Sequence, residues 1–505
     1  MNWRTRTETK IELFSDWLFD NAKKTILVVA LFVAALGSQL PALKIDTTTE
    51  GFLHKTDPMR VEYDLFRDQF GRDEKLMIAV KTDNIFDLNF LKKLESFHST
   101  LESELPNIKD IDSLINARNT YGIEGELIVE PLIDSLPETQ EDLEQLKATV
   151  VNNSLYENSL YSEDFTMTTV TIDTETYSNN NLSNEGASLE FDDGLEFDDG
   201  LEFDDGLEFD SDSDAGGGQR PYLTDAENDE IIAKTQEIMK RFASSDFEIY
   251  LSGSAAIAGI FKQALLNDSV VFISLMMAVI MLVLFILFRR ISGVVLPLTC
   301  VLLTLITTVS MMSIFSAPFT MATQIMPTFL LAVVTSAAIH LLAVFYKDFA
   351  QTKDKKTSLR YAMGHSGLAI IMTSLTTSVG LWSFSFSGVA PVADLGVFAS
   401  SGVMVGLLFT LVFLPALISV TSFTHLEKKI DNEGHTLMDR SLLGISKVAT
   451  GRPKLIVAIS TVLIISAAIV ASQIRFSHFP LQWLPEDNFA RVATEAVDEN
   501  LKGSL

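Results

Sequence analysis

From Val270 to Val420 the chain is almost continuously apolar, and this stretch decides what the rest can fold into. It breaks into five segments of about 20 residues, each long enough to cross ~30 Å of hydrocarbon. The segments are Ser269–Phe288, Gly293–Phe315, Gln324–Tyr346, Gly367–Phe386 and Leu395–Val420, with short connections between them. Two more, Thr25–Leu40 and Leu455–Gln473, lie on either side. Seven spans predict a polytopic α-helical membrane protein. The first follows Lys23-Lys24 and lacks an Ala-x-Ala cleavage site, so it reads as an uncleaved span rather than a signal peptide.

A formal charge of −28 beside a positive mean hydropathy requires acidic and apolar parts to be segregated. Basic residues set the orientation. Lys23-Lys24, Arg289-Arg290, Lys347 to Lys356 and Lys428 to Lys454 all fall on one side, which the positive-inside rule makes the cytoplasm. The turns Ser316–Thr323 and Ser387–Asp394 carry no Lys or Arg and face the other way. The predicted organisation is an interfacial helix over 1–23, a span over 24–43 and an extracytoplasmic domain over 44–267. A five-span block over 268–422, a cytoplasmic linker over 423–454, a last span over 455–473 and a second outer segment over 474–505 follow.

Within 44–267, Lys75–Lys81, Ile108–Ile115, Phe165–Thr174 and Phe247–Leu251 read as strands, and Asn89–Leu105 and Ala226–Phe242 as helices. Pro137–Ala148 reads as a helical excursion. The order βαβ–βαβ predicts an α+β, split-βαβ, ferredoxin-like sheet. An acidic insert over 185–220 repeats Leu-Glu-Phe-Asp-Asp-Gly; its charge and scant apolar surface predict disorder, with weak calcium binding as the other reading.

An ionisable group at bilayer depth is costly and is a functional candidate by default. His340 is the one such group in the fourth span, and Ser336 lies a turn before it on the same face, beside Thr335. A proton relay and an ordinary interhelical hydrogen bond both fit His340. In the fifth span Thr373/Thr377 and Ser374/Ser378 form two adjacent hydroxyl stripes, which either line a proton or water path or bond back to their own helix. Gly402 and Gly406 form a small-xxx-small packing pattern in the sixth. His365 and Asp394 read as boundary residues and Cys300, the single cysteine, as packing. No phosphate-loop motif or catalytic constellation is present, and an acidic outer domain would repel nucleic acid. No enzyme activity, cofactor or metal is expected.

The layout is also duplicated. Lys23-Lys24, Lys44-Ile45 and Phe52-Leu53 around the first span are echoed by Arg452 to Lys454, Arg475-Phe476 and Trp483-Leu484 around the last. Together with Gly51-Phe-Leu-His-Lys-Thr-Asp-Pro58, Tyr250-Leu-Ser-Gly-Ser-Ala255, Ile339-His340-Leu-Leu and Phe413-Leu-Pro-Ala416, this order resembles the resistance-nodulation-division superfamily, in its MMPL-type lipid-exporting branch. The five-span block is similar to a sterol-sensing domain. The resemblance implies one transporter half plus the start of a second, and proton-driven export of a hydrophobic or amphiphilic molecule, a lipid above all. It implies work in the cytoplasmic membrane with a second half or a homo-oligomer, and with an envelope partner protein. Proton-coupled members place an acid in the fourth span a few residues before the histidine; Thr335-Ser-Ala-Ala-Ile-His340 has none. The other reading is a non-transporting lipid-sensing or envelope-assembly protein whose five-span block binds lipid.

Overall fold

The computed structural model describes residues 3–48, 50–70, 75–123, 126–133, 135–153, 155–178, 223, 225–423, 437–474 and 484–502. The acidic repeat, residues 424–436 of the linker and the Arg475 to Trp483 echo lie outside these residues.

Helices α1 (Trp3–Asp20), α2 (Ala22–Gly37) and α3 (Pro58–Phe70) lead into β1 (Lys75–Lys81), α4 (Leu88–Glu104) and β2 (Ile108–Ser113). A hairpin of β3 (Arg118–Ile123) and β4 (Glu126–Pro131) follows, then α5 (Gln140–Asn152), β5 (Met167–Thr174), α6 (Asp225–Phe242) and β6 (Glu248–Ser252). The long helices come next: α7 (Ser254–Phe288), α8 (Ile291–Ile314), α9 (Ile325–Thr352), α10 (Lys355–Trp382) and α11 (Ala390–Leu408). A π-helical turn, Phe409–Phe413, joins α11 to α12 (Leu414–Val420). The chain ends in α13 (Leu437–Gly451), α14 (Pro453–Ala471) and α15 (Phe489–Leu501).

Seven helical stretches among the described residues are long and apolar enough to cross a membrane, in the seven places the hydropathy predicts. Two compact units result, one of Met1–Asp57 with Lys262–Phe479 and the other of Pro58–Phe261 with Pro480–Leu505.

The second unit is built on an antiparallel four-stranded sheet of order β2-β5-β1-β6. β1 explains its own sequence. Leu76, Ile78 and Val80 enter a core with Leu94, Phe97 and Phe247, while Ala79 packs on the other face with Met167, Val497 and Leu501. With helices on both faces, Leu-Met-Ile-Ala-Val is a continuous apolar run rather than an alternating one. The second face is covered by α15, a correction to the expectation that 474–505 forms a separate outer segment; Thr494 Oγ1 lies 3.3 Å from Ser252 Oγ. The α3 helix and the β3–β4 hairpin were not anticipated. Gly253, where β6 turns into α7, has φ +97° and would place a Cβ 2.3 Å from the Lys75 carbonyl oxygen, so no other residue fits there.

His98 of α4 is buried, its Nδ1 2.9 Å from the Ser113 hydroxyl. Burial lowers its pKa, outweighing the opposing pull of Glu102, Asp110 and Asp112. The folded state therefore holds it neutral at a pH where the unfolded chain, titrating near ~6.5, takes up a proton. The contribution is complete above that value and is lost as pH falls from there to the folded pKa. Asp112, whose carboxyl is raised by burial and by Asp110 and Asp173, works in the opposite sense at lower pH. The melting temperature is expected to drop as pH falls below ~6.5, and a His98→Gln variant to show a flatter profile there.

Candidate functional site

In the first unit, α11 meets α8 and α9 through two glycines and two threonines. Gly402 and Gly406 sit on the buried face of α11. A Cβ on Gly402 would lie 2.7 Å from Leu330 Cδ1 and 2.9 Å from Thr308 Oγ1; one on Gly406 would lie 2.4 Å from Val334 Cγ2 and 3.5 Å from Thr304 Cγ2. One helical turn along α11 thus moves one turn forward on α9 and one turn back on α8, so α11 runs parallel to the first and antiparallel to the second. Thr304 and Thr308 donate back to the carbonyls of Cys300 and Thr304, each at 2.8 Å, leaving both hydroxyls satisfied within their own helix. The backbones therefore approach closely without stranding a polar group.

The next turn of α11 breaks this pattern. Leu414 N–H reaches back five residues to the Phe409 carbonyl, and Pro415 follows. A proline has no N–H to return to the ladder and its ring crowds the carbonyl four residues earlier, so the helix widens into a π turn. Five-residue spacing would draw the donor for the Thr410 carbonyl from residue 415, which has none. Cys300 Sγ comes to 4.0 Å from the Phe409 carbonyl from the α8 side. Thr410 is completely buried, and its hydroxyl has no hydrogen-bond partner among the described residues. The same holds for the Thr335 hydroxyl on α9, a residue only 6% exposed. These two hydroxyls break the rule that buried polar atoms are paired, a rule broken mostly at sites of function or strain.

The predicted residues divide between two faces. Thr335 is buried, but His340 and Ser336 lie on the exposed face of α9, and neither side chain has a hydrogen-bond partner among the described residues. Of the two α10 stripes, Ser374 and Ser378 are buried, and Ser378 donates to the Ser400 carbonyl of α11 at 3.1 Å. Thr373 is exposed and bonds back to Ala369 and Ile370, each at 3.0 Å, while Thr377 is half-buried. Inside this unit, Thr335, Ser374, Ser378, Gly402 and Gly406 belong to the packed interior, whereas His340, Ser336 and Thr373 point away from it.

Sequence reasoning missed Thr410 and the π turn. The signal was Pro415 inside an apolar span with a threonine five residues before it.

A second polar cluster sits where the helices turn. The chain after α2 runs along these turns: Phe319 N–H donates to the Lys44 carbonyl at 2.7 Å, and His54 Nε2 lies 3.1 Å from the Ser387 carbonyl oxygen. Half-buried Asp394 lies within electrostatic reach of His54 and Lys55. No three His, Cys, Asp or Glu side chains among the described residues converge as metal ligands.

The MMPL family matches residues 220–453, a range that takes in α6, β6 and the five-span block. A protein of Methanocaldococcus jannaschii, MJ1562, whose name gives it only a provisional place in the membrane, is 27% identical over 141 residues. That match covers 28% of this chain and 36% of the relative, so it speaks for a part of each.

Proposed function

We propose, from the match of residues 220–453 to the MMPL family of membrane transporters, that the chain is a secondary transporter driven by the proton-motive force. Its substrate is a hydrophobic or amphiphilic molecule, a membrane lipid above all, moved outward across or out of the cytoplasmic membrane. The observation that carries this reading is that the Thr335 and Thr410 hydroxyls are buried without a partner among the described residues, in the unit whose glycines let α8, α9 and α11 approach closely. A hydroxyl without a partner inside a membrane bundle is expensive, and water or a passing proton carrier would satisfy it.

The four-stranded sheet supports a porter role. Its order, β2-β5-β1-β6, with α4 and α6 as the crossovers, is that of a split-βαβ, ferredoxin-like domain, which we place outside the membrane on the basic-residue asymmetry. A second transporter half or a second copy supplies the opposing helices, against which the exposed His340 and Ser336 would lie, and an envelope protein receives the cargo. The lipid-sensor reading draws its support from the fourth span, which has no carboxylate between Gln324 and Tyr346.

Purified protein in liposomes with an imposed proton gradient and a fluorescent phospholipid separates the two. We expect gradient-dependent lipid movement that is retained in His340→Ala and falls severalfold in Thr335→Val. Saturable lipid binding without gradient-dependent movement would leave the sensor.

A further inference from the structure

Helix α1 has two faces of opposite character. Glu8, Glu12, Asp16 and Asp20 recur every four residues and form one acidic stripe. Every member is engaged. Arg360 of α10 reaches Glu12 at 3.2 Å and Asp16 at 3.4 Å, Lys356 reaches Asp20 at 2.7 Å, and Arg4 takes Glu8 at 2.8 Å. The same side lies on α10 itself, where Cβ atoms on Gly367 and Gly364 would come within 3.0 Å of Ile11 and 2.7 Å of Glu12. Leu18 is fully buried, and Ser419 Oγ donates to the Phe19 carbonyl at 3.2 Å.

The opposite face carries Trp3, Arg6, Lys10, Leu13, Phe14 and Trp17, all exposed. Leu13 and Trp17 keep more than half of their surface open, at 58% and 56%, and the Phe14 and Trp17 rings stack at 6.1 Å. Arg6 and Lys10 make no ion pair among the described residues, and Lys23 and Lys24 are exposed just beyond. With three of its acids turned to α10 and Glu8 held by Arg4, the helix leaves this face aromatic and cationic.

Water does not suit such a patch, and its position names another solvent. Asn21 alone separates α1 from α2, a candidate span, so Trp17 lies about one turn from the start of that span. Tryptophan beside a span belongs at the headgroup level, and free Lys and Arg on an amphipathic helix attract anionic headgroups. We propose that the outward face of α1 is a docking site for anionic lipid headgroups, linked to α10 through the Arg360 and Lys356 ion pairs. The proposal rests on α2 crossing the bilayer and is independent of transport.

The test uses the full chain in nanodiscs. Of the four tryptophans, Trp3, Trp382 and Trp483 are replaced by phenylalanine so that Trp17 reports alone. Brominated phosphatidylglycerol and brominated phosphatidylcholine are then compared as quenchers at equal mole fraction. The expected result is stronger quenching by the anionic lipid, weakened in Arg6→Gln/Lys10→Gln and by added salt, and reversed in sign in Arg6→Glu/Lys10→Glu. An unchanged thermal melt in the glutamine variant shows that the helix still docks on α10. Equal quenching by the two lipids, or a preference indifferent to both double variants, would overturn the proposal. No quenching by either lipid would place protein, such as a second copy, over this face and would overturn it as well.

Discussion

Gly406→Ala is expected to lower the melting temperature of the solubilised protein. The new Cβ arrives 2.4 Å from Val334 Cγ2, a distance at which something must move. Val334 cannot yield easily: it is 2% exposed, and a β-branched side chain on a helix has essentially one rotamer. The helices must part instead, and overpacking of this kind costs about 1–3 kcal/mol. Between membrane helices the loss is not softened by a hydrophobic drive, since lipid tails are as apolar as the side chains they replace. Val334→Ala in the same chain should restore much of the loss, giving a favourable coupling in a double-mutant cycle. Gly380 supplies the control. A Cβ there meets nothing within 4 Å on α10, so Gly380→Ala should be neutral or stabilise by about 0.5–1 kcal/mol through helix propensity. Equal losses at both glycines would mean that the seam is no closer than the rest of the bundle.

The seam was legible before any coordinates were known because small residues four apart have one main use on a membrane helix. The seven spans and the four strands of the sheet were legible for a related reason: each is a run whose period or length matches the surface it buries. What stayed hidden depended on the third dimension. The pair Ser336 and His340 share a face, as their spacing requires, but spacing cannot say which way that face points, and it points outward. The same ambiguity covered Thr373 and Ser374, adjacent in sequence, of which the structure buries only the second. The long-range pairing of α15 with the sheet could not be read either, since its apolar face fits a separate outer segment equally well. The π turn was hidden differently. Pro415 was visible, but its effect falls on Thr410, five residues earlier, through a ladder that only a helix possesses.

Thr410→Val is expected to separate function from stability. Valine is close to threonine in shape and lacks only the hydroxyl, which is fully buried and has no partner among the described residues. A buried polar group left unsatisfied costs ~1–3 kcal/mol, so its removal should leave the melting temperature unchanged or raise it. Keeping such a group has a use if the transport cycle brings it a partner that the resting bundle lacks. Transport should then fall about tenfold, equivalent to ~1.4 kcal/mol on the barrier. Thr304→Val is the matched control, because that hydroxyl is already bonded to the Cys300 carbonyl and no transport effect is expected. Pro415→Ala approaches the same turn from the backbone: returning an N–H favours regular helix over the π turn and should raise stability while slowing transport. If Thr410→Val lowers the melting temperature along with transport, the hydroxyl is structural and the coupling path lies elsewhere. If it changes neither, the turn is a scar of Pro415 and nothing more. A loss of transport in a protein at least as stable as the original would identify the π turn as the place where the bundle stores a polar group for use.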